Sequence, residues 1–342
     1  MKSVRFILNA FFLLFVLWPY TSIADDNQCV LLLYHRFSDE GPQSTRTSPA
    51  VFEKHLEYLY ENGYKVLPLG EVIEGLKMQG ILPRKCVSLT ADDGFLSLYT
   101  NAYPLLVKYQ MPMSVFVSTE SIDKKYTLML SWQQLQEMSD LVDVYNHSVK
   151  HLHLVEQSVE VVQSEITQAQ QRIQQELGVE EKFFAYPYGE FDDETYRLIS
   201  DLGYVGFGQH SGAISRNSDF LNLPRFSMSG PYAKMDSFTL KIKTLPMPIE
   251  FEEPQSLLIS ENFKPSLTLT FSRKLTNNEK QQFSCFVSGQ DQPELIWLAS
   301  NKVNVQARES LPKGRSRYNC TMPSKEAGRY YWYSKLWLRS TS

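Results

Sequence analysis

Residues 89–95 read Leu-Thr-Ala-Asp-Asp-Gly-Phe, a segment in which a short apolar run ends at two adjacent carboxylates and a glycine. Neighbouring side chains of an extended chain point to opposite sides of the backbone, so Asp92 and Asp93 should have different surroundings. One carboxylate can then hold a metal ion while the other faces a substrate. The segment therefore makes the chain an enzyme candidate.

Short apolar runs alternate with longer amphipathic runs between residues 30 and 226, which predicts an α/β fold with parallel strands joined by crossover helices. The periodicity leaves open whether the sheet closes into a barrel, in which case the chemistry would lie in the loops that follow the strands. The predicted strands are Val30–Tyr34, Cys86–Thr90, Ser114–Ser118, Val142–Asn146, Phe183–Tyr186 and Tyr204–Phe207, and the predicted helices are Pro49–Asn62, Thr100–Tyr109, Val155–Leu177 and Asp192–Leu202.

The first 24 residues have the pattern of a secretory signal. Lys2 and Arg5 precede an apolar run from Phe6 to Trp18, and a small-x-small cleavage site follows at residues 22–24. The apolar run is shorter than the ~20 residues that a membrane span needs. We expect an exported protein, periplasmic or secreted, with an uncleaved anchor as the alternative. No later segment is long and apolar enough to predict a second membrane span.

The mature chain is predicted to be mildly acidic. The full sequence has 34 basic and 38 acidic residues, and loss of the signal removes two basic ones, which leaves 32 against 38 and a net charge of −6. An acidic chain without a basic block is not expected to bind nucleic acid. Its four cysteines would lie in an oxidising compartment. We expect Cys29 to pair with Cys86 and Cys285 with Cys320, since a cysteine metal site would need closer spacing.

The sequence pattern changes after Arg225. We predict a signal peptide at residues 1–24, a catalytic domain at 25–230, a linker at 231–256 and a small all-β sandwich at 257–342. Within the last segment, Cys285, Trp297 and Tyr318-Asn319-Cys320 resemble the arrangement of immunoglobulin domains. The aromatic run Tyr330–Trp337 is expected to pack in the core, with glycan stacking as the alternative. This domain is expected to recruit either substrate or an envelope protein partner.

Asp93, His147 and His151 provide one carboxylate and two imidazoles, a ligand set that suits one divalent metal ion. Zn²⁺ is the expected ion, with Co²⁺ and Ni²⁺ as alternatives. The two histidines are four residues apart, a spacing that would place both on one face of a helix. Such an ion can polarise a carbonyl and lower the pKa of a water molecule. Asp92 would act as the general base.

The segment Phe184-Ala185-Tyr186-Pro187-Tyr188-Gly189 completes three ordered motifs, after Asp92-Asp93-Gly94 and His147-Ser148-Val149-Lys150-His151. On these motifs, residues 30–226 resemble the polysaccharide deacetylase family, also called NodB-homology or carbohydrate esterase family four. The resemblance implies a distorted (β/α) barrel and metal-assisted removal of N-acetyl groups from a polysaccharide or oligosaccharide. It implies that Asp92 is the base, that Asp93, His147 and His151 bind the metal, and that the Tyr188 N–H binds the oxyanion.

The run Tyr34-His35-Arg36 resembles the start of family members that act on poly-N-acetylglucosamine. We therefore expect His35, together with Pro187 and Tyr188, to contact the substrate. Ala185 occupies the position where the family often has an arginine, and Arg225 is predicted to supply that charge. The late histidine that serves as general acid in the family is missing. His210 is the first replacement candidate and His35 the second.

Other features receive structural interpretations. His55 is expected on the surface, and the helix predicted at Val155–Leu177 is expected to be a solvated crossover helix. His153 is a rival metal ligand, although a position beside the ligands or on the surface is expected instead. Two functions compete with a polysaccharide deacetylase: a non-catalytic glycan-binding or scaffold protein on a degenerate barrel, and a deacylase of a lipid-linked sugar.

Overall fold

The computed structural model describes residues 27–259 and 263–339. The predicted signal peptide, residues 1–24, lies outside the described residues. Among the helices of the two described ranges, none has the length and apolar character needed to cross a bilayer.

The first part of the described chain folds into a curled sheet with helices packed against it. Its strands are β1 (Gln28–Tyr34), β2 (Arg36–Phe37), β3 (Arg46–Thr47), β4 (Lys65–Val66), β5 (Cys86–Asp93), β6 (Met113–Val117), β7 (Val142–Asn146), β8 (Phe183–Ala185), β9 (Val205–Phe207), β10 (Ala213–Ser215) and β11 (Phe226–Ser227). Its α-helices are α1 (Pro49–Glu61), α2 (Leu69–Lys77), α3 (Tyr103–Tyr109), α4 (Thr119–Asp123), α5 (Trp132–Glu137), α6 (Val159–Leu177), α7 (Asp193–Asp201) and α8 (Met235–Lys241).

The strand order explains where a site can form. Strands β1, β5, β6, β7, β8 and β9 are parallel neighbours in that order, and β10 pairs antiparallel with β1 at the edge. The carboxyl ends of β5, β7 and β8 therefore meet at the same edge of the sheet, where open α/β sheets bind their ligands. The six predicted strands are all present, and the predicted distorted (β/α) barrel takes the form of a curled half-barrel.

Burial and covalent bonding keep the first strands together. Every residue of β1 is buried, as expected for a parallel strand covered on both faces. Cys29 and Cys86 form the predicted disulfide and join β1 to β5. Helix α1 begins after Ser48, whose side chain accepts a hydrogen bond from the N–H of Val51, with Pro49 at the first helical position. This start agrees with the sequence prediction.

The C-terminal region is a sandwich of two sheets, as the sequence predicts. One sheet has the order β12–β20–β19–β16 with β14 on β20, and the other has the order β13–β15–β18–β17. Their bounds are β12 (Leu245–Pro246), β13 (Ile249–Glu253), β14 (Leu258–Ile259), β15 (Ser266–Phe271), β16 (Ser284–Val287), β17 (Glu294–Ala299), β18 (Lys302–Gln306), β19 (Gly314–Pro323) and β20 (Tyr330–Arg339), with one helix, α9 (Asn277–Gln282).

Residues 231–256, predicted as a linker, carry helix α8 and strands β12 and β13. Cys285 and Cys320 form the second predicted disulfide. They are register partners on β16 and β19 of one sheet, whereas the disulfide of antibody domains joins the two sheets. The hydroxyl of Tyr318 donates to the Pro265 carbonyl oxygen at 2.6 Å, a contact of the tyrosine-corner type.

The aromatic strand β20 packs inward, as expected. Trp337 is buried in the core between the two sheets, and Tyr331 and Tyr333 pack against the same core. Trp332 contacts Phe226 of β11, with ring centroids 5.5 Å apart. The strand therefore contributes both to the sandwich core and to its contact with the first sheet.

Candidate active site

Asp93, His147 and His151 form a compact cluster at the carboxyl edge of the first sheet. Asp93 ends β5, and the two histidines lie in the loop after β7. One ligand atom of each residue lies within 4.8 Å of the others. The Nε2 atoms of His147 and His151 are 3.5 and 3.3 Å from Oδ1 of Asp93. The structure thus brings together the three predicted metal ligands.

The surroundings of His147 fit a metal ligand. Its Nδ1 donates to the Ala185 carbonyl oxygen at 2.7 Å, which fixes the tautomer and leaves Nε2 without a proton in the neutral ring. This Nε2 is buried and has no hydrogen-bond partner among the described residues. A buried polar atom without a partner is rare and needs an explanation. A divalent metal ion coordinated by this nitrogen, Asp93 and His151 would supply one.

The ligand loop is not helical, so the prediction that helical spacing aligns the two histidines is wrong. Ser148 and His151 have φ values of 69° and 57°, in the left-handed region, and Asp93 has a φ of 75°. Non-glycine residues rarely adopt such angles, and they persist where surrounding contacts hold them. The histidines converge because the backbone turns sharply between them.

Helix α6 holds this loop through a buried carboxylate. Oε2 of Glu165 accepts hydrogen bonds from the backbone N–H groups of Val149 and Lys150, at 3.1 and 2.7 Å. The side chain of Asn146 accepts a bond from Ser148 N–H and donates to the Ile166 carbonyl oxygen. Helix α6 is predicted from the sequence to be only a solvated crossover helix, and this prediction is wrong for the face that carries Glu165. Glu165 lies among the buried residues of α6, and a charged residue on an apolar stripe was the signal that could have identified it.

Asp92 and Arg225 form a buried ion pair beside the cluster. Nη1 and Nη2 of Arg225 donate to Oδ1 and Oδ2 of Asp92, at 2.7 and 2.8 Å. Arg225 Nε also donates to the Gly208 carbonyl oxygen. Burial by itself would raise the pKa of Asp92, but the charge and hydrogen bonds of Arg225 outweigh it and hold this pKa below its usual value. Asp92 is therefore ionised and held in one orientation.

Tyr188 lies in a tight turn, Pro187–Gly189, that follows β8. Its φ of 60° is again left-handed, and Pro187 is buried beneath it. The Tyr188 ring meets the ring of His151 edge-on at 4.4 Å and stacks on His153 at 3.9 Å. His153 in turn donates from Nδ1 to the carboxylate of Glu190. His153 thus lies beside the ligand cluster, as expected.

His35 and His210 occupy different environments. Because Tyr34 on β1 is the register partner of Ala91 on β5, the next residue, His35, lies beside Asp92. Nδ1 of His35 is buried without a hydrogen-bond partner among the described residues. No hydrogen bond, ion pair or ring contact of the described residues joins the His210 side chain to the cluster. Burial lowers the pKa of both rings, that of His210 to about 3, so position rather than pKa distinguishes them. Of the two, His35 is the histidine at the site.

Comparison with known proteins agrees with this geometry. The model of the family described as polysaccharide deacetylase matches residues 79–207. The YxkH protein of Bacillus subtilis (strain 168), named as a polysaccharide deacetylase, is 30% identical over 201 residues, which cover 58% of this chain and 71% of that protein. The poly-beta-1,6-N-acetyl-D-glucosamine N-deacetylase of Staphylococcus aureus (strain MSSA476) is 25% identical over 232 residues, 60% of this chain and 80% of the relative.

Two solved structures share the fold. The deacetylase PplD of Streptococcus pyogenes, solved in complex with acetate, superposes with a TM-score of 0.59 at 25% identity, covering 63% of this chain and 98% of that one. IcaB of Ammonifex degensii superposes with a TM-score of 0.55 at 26% identity, covering 62% and 94%. Together with the ordered motifs and their convergence in space, these similarities show that the chain belongs to the polysaccharide deacetylase family.

Proposed function

We propose that the protein is a metal-dependent hydrolase that removes N-acetyl groups from an N-acetylated glycan. The observation that carries this proposal is the position of the buried Asp92–Arg225 pair directly beside the Asp93, His147 and His151 cluster. An ionised carboxylate next to three converging ligand atoms is the arrangement needed to activate water for attack on an amide.

The cluster would hold one divalent ion, with Zn²⁺ as our choice and Co²⁺ or Ni²⁺ as alternatives. When bound, the ion supplies Lewis acidity for the acetamide carbonyl and for water. Asp92 accepts the proton of the attacking water as the new C–O bond forms at the carbonyl carbon. Arg225 keeps Asp92 ionised and oriented, in the role that the missing arginine at Ala185 would otherwise serve.

The remaining steps need an oxyanion donor and an acid. The backbone N–H of Tyr188 would donate to the oxygen on which negative charge develops, a contribution worth about 3 kcal/mol in comparable sites. When the C–N bond breaks, the amine must receive a proton. We assign this proton to His35 rather than to His210, because His35 lies beside Asp92 and has a buried Nδ1 without a partner. Acetate and a free amino sugar are the products.

The substrate class is supported by similarity. The Staphylococcus aureus relatives are named poly-beta-1,6-N-acetyl-D-glucosamine N-deacetylases, so we propose a polymer of this kind in the cell envelope. Export is supported by two disulfides, which persist in oxidising compartments, and by the signal pattern of residues 1–24. We also propose a catalytic domain at 25–230 and a sandwich at 257–342. Residues 231–256, proposed as a linker, connect the two and contribute strands β12 and β13 to the sheets of the sandwich.

The test is acetate release from β-1,6-linked N-acetylglucosamine oligomers by the mature protein reconstituted with Zn²⁺, with His147→Ala as the matched variant. We expect release that requires the metal and is lost in the variant. Zinc binding together with acetate or formate release only from lipid-linked sugars would favour a deacylase of that class. Glycan binding without zinc binding or release would favour a non-catalytic glycan-binding protein.

A further inference from the structure

Strand β19 of the sandwich contacts the turn that carries Tyr188. Nη1 of Arg315 donates to the Tyr188 carbonyl oxygen at 2.8 Å. Its guanidinium carbon lies 5.7 Å from the centroid of the Tyr188 ring. A residue of the C-terminal domain therefore touches both the backbone and the side chain of a predicted active-site residue, 127 positions earlier in the chain.

Glu190 connects this arginine to the other side of the turn. Its Oε1 lies 3.4 Å from Nε of Arg315, and its Oε2 accepts a hydrogen bond from His153 at 2.7 Å. The side chain of Glu190 is 6% exposed. His153 stacks on the Tyr188 ring, with an angle of 3° between the planes. Each of the residues thus contacts the next in a closed ring of four: Tyr188, Arg315, Glu190 and His153.

A second arginine on the same face of β19 holds the neighbouring loop. Nη2 of Arg317 donates to the Gln209 carbonyl oxygen at 3.3 Å. Gln209 lies against Gly189, where an added Cβ would come within 2.8 Å of the Cβ of Gln209. Since residues two apart on a strand share a face, both arginines reach loops after strands of the first sheet. The sandwich therefore contacts both the turn itself and the loop that packs against it.

The left-handed φ of 60° at Tyr188 must be stabilised by its surroundings. The bond from Arg315 restrains the carbonyl of Tyr188, and the stack with His153 restrains its ring. These two restraints act on groups joined to the same α-carbon as the N–H. We propose that Arg315 of the C-terminal sandwich is a positioning residue for the deacetylation reaction, fixing the Tyr188 N–H where the oxyanion develops. The proposal rests on the proposed function, in which that N–H is the oxyanion donor.

The test compares Arg315→Ala and Arg315→Lys with Arg308→Ala. Arg308 is a matched control, because it is an exposed arginine of the same sandwich whose side chain donates to the Gln292 carbonyl oxygen and, among the described residues, bonds to no residue of the first sheet. We expect Arg315→Ala to lower kcat for acetate release about tenfold with KM changed less than twofold, since misplacement of a preorganised donor acts on the transition state. Zinc stoichiometry and the thermal midpoint should match those of Arg308→Ala.

Chemical rescue separates positioning from a purely structural role. Added guanidinium at low millimolar concentration should restore part of kcat in Arg315→Ala and leave Arg308→Ala unchanged. Arg315→Lys should be intermediate, since an ammonium cannot bond the Tyr188 carbonyl and Glu190 with the same planar geometry. A wild-type kcat in a folded Arg315→Ala would overturn the proposal. So would a fall in kcat that Arg308→Ala shows equally, or one that is accompanied by an equal loss of zinc binding. Absence of release by the wild-type protein would instead count against the proposed function.

Discussion

Asp92 and Arg225 face each other in the interior of the molecule, and both oxygens of the carboxylate accept a hydrogen bond from the guanidinium, at 2.7 and 2.8 Å. Neither side chain is exposed to solvent. Bidentate pairs of this kind fix orientation as well as charge. A buried pair is stable as a pair, whereas either partner alone is left as an uncompensated buried charge.

Breaking this pair should affect both turnover and stability. Asp92→Asn removes the base and should lower kcat by about 10²- to 10⁴-fold, with zinc binding retained because Asp93, His147 and His151 are intact. Arg225→Met leaves the carboxylate buried without its partner and should lower the free energy of unfolding by about 3–5 kcal/mol. Single-turnover acetate release measures the loss of turnover in Asp92→Asn, and urea denaturation measures the loss of stability in Arg225→Met.

The double variant Asp92→Asn/Arg225→Met provides the control. Each single substitution leaves one buried charge without its partner, whereas the double variant leaves none. The loss in free energy of unfolding of the double variant should therefore be smaller, by about 1 kcal/mol or more, than the sum of the two single losses. Strictly additive losses of stability would contradict the energetic coupling of Asp92 and Arg225, and wild-type turnover in Asp92→Asn would contradict the role of Asp92 as the base.

The two candidate acids can be separated with paired substitutions. His35→Gln should lower kcat about 10²-fold or more, since the amine would leave without its proton. His210→Gln should retain most activity, because no hydrogen bond, ion pair or ring contact among the described residues joins its side chain to the cluster, whereas His35 lies beside Asp92. Steady-state kinetics on the same oligomer measures both. The reverse ranking would return the role to His210.

Glu165 offers a test of how the ligand loop is held. Glu165→Ala removes the acceptor of two backbone N–H groups and should weaken zinc binding about 10- to 100-fold, as loss of such support does at other metal sites. Glu165→Gln should behave almost as wild type, since one amide oxygen can accept both bonds that now go to Oε2. Zinc affinity is measured by competition with a chromogenic chelator.

Glu160→Ala is the matched control, because Glu160 is exposed in the first turn of the same helix. Equal zinc affinity in Glu165→Ala and Glu160→Ala would show that the loop holds its shape without the carboxylate.

Acid should destabilise the protein through His55. The structure shows this residue buried, which corrects the prediction of a surface histidine: its ring stacks on Phe238 and bonds to Tyr34 and the Ala233 carbonyl. Burial lowers its pKa from 6.5 to about 4. Between these values the unfolded chain binds the proton and the folded one does not, so the free energy of unfolding falls as pH falls.

Through the protonation of His55, the free energy of unfolding should fall by about 2 kcal/mol between pH 7 and pH 5. His55→Gln lacks the titrating group, so its loss of stability over this range should be smaller by that amount, even if the variant is less stable at every pH. Urea midpoints at both pH values measure the difference. An equal loss of stability from pH 7 to pH 5 in the wild type and in His55→Gln would show that His55 is not the group responsible.

The local pattern of the sequence determined much of this molecule. Alternating apolar runs predicted the six strands, and Ser48 with Pro49 predicted the start of α1. Asp93, His147 and His151 could be selected from their order after successive strands, because parallel strands bring their carboxyl ends to one edge. These features depend on residues close together in the chain or on the regular geometry of a sheet.

Only the tertiary structure decided the rest. The helical spacing of the histidines was misleading, because backbone bonds from Glu165 and Asn146 hold a turned loop instead. The choice between His35 and His210 needed the register of β1 against β5. The contact of Arg315 with Tyr188 joins residues 127 positions apart. Such contacts leave no periodic signal, since side-chain hydrogen bonds depend on distances in space, whereas hydrophobic patterns record only which face of an element is buried.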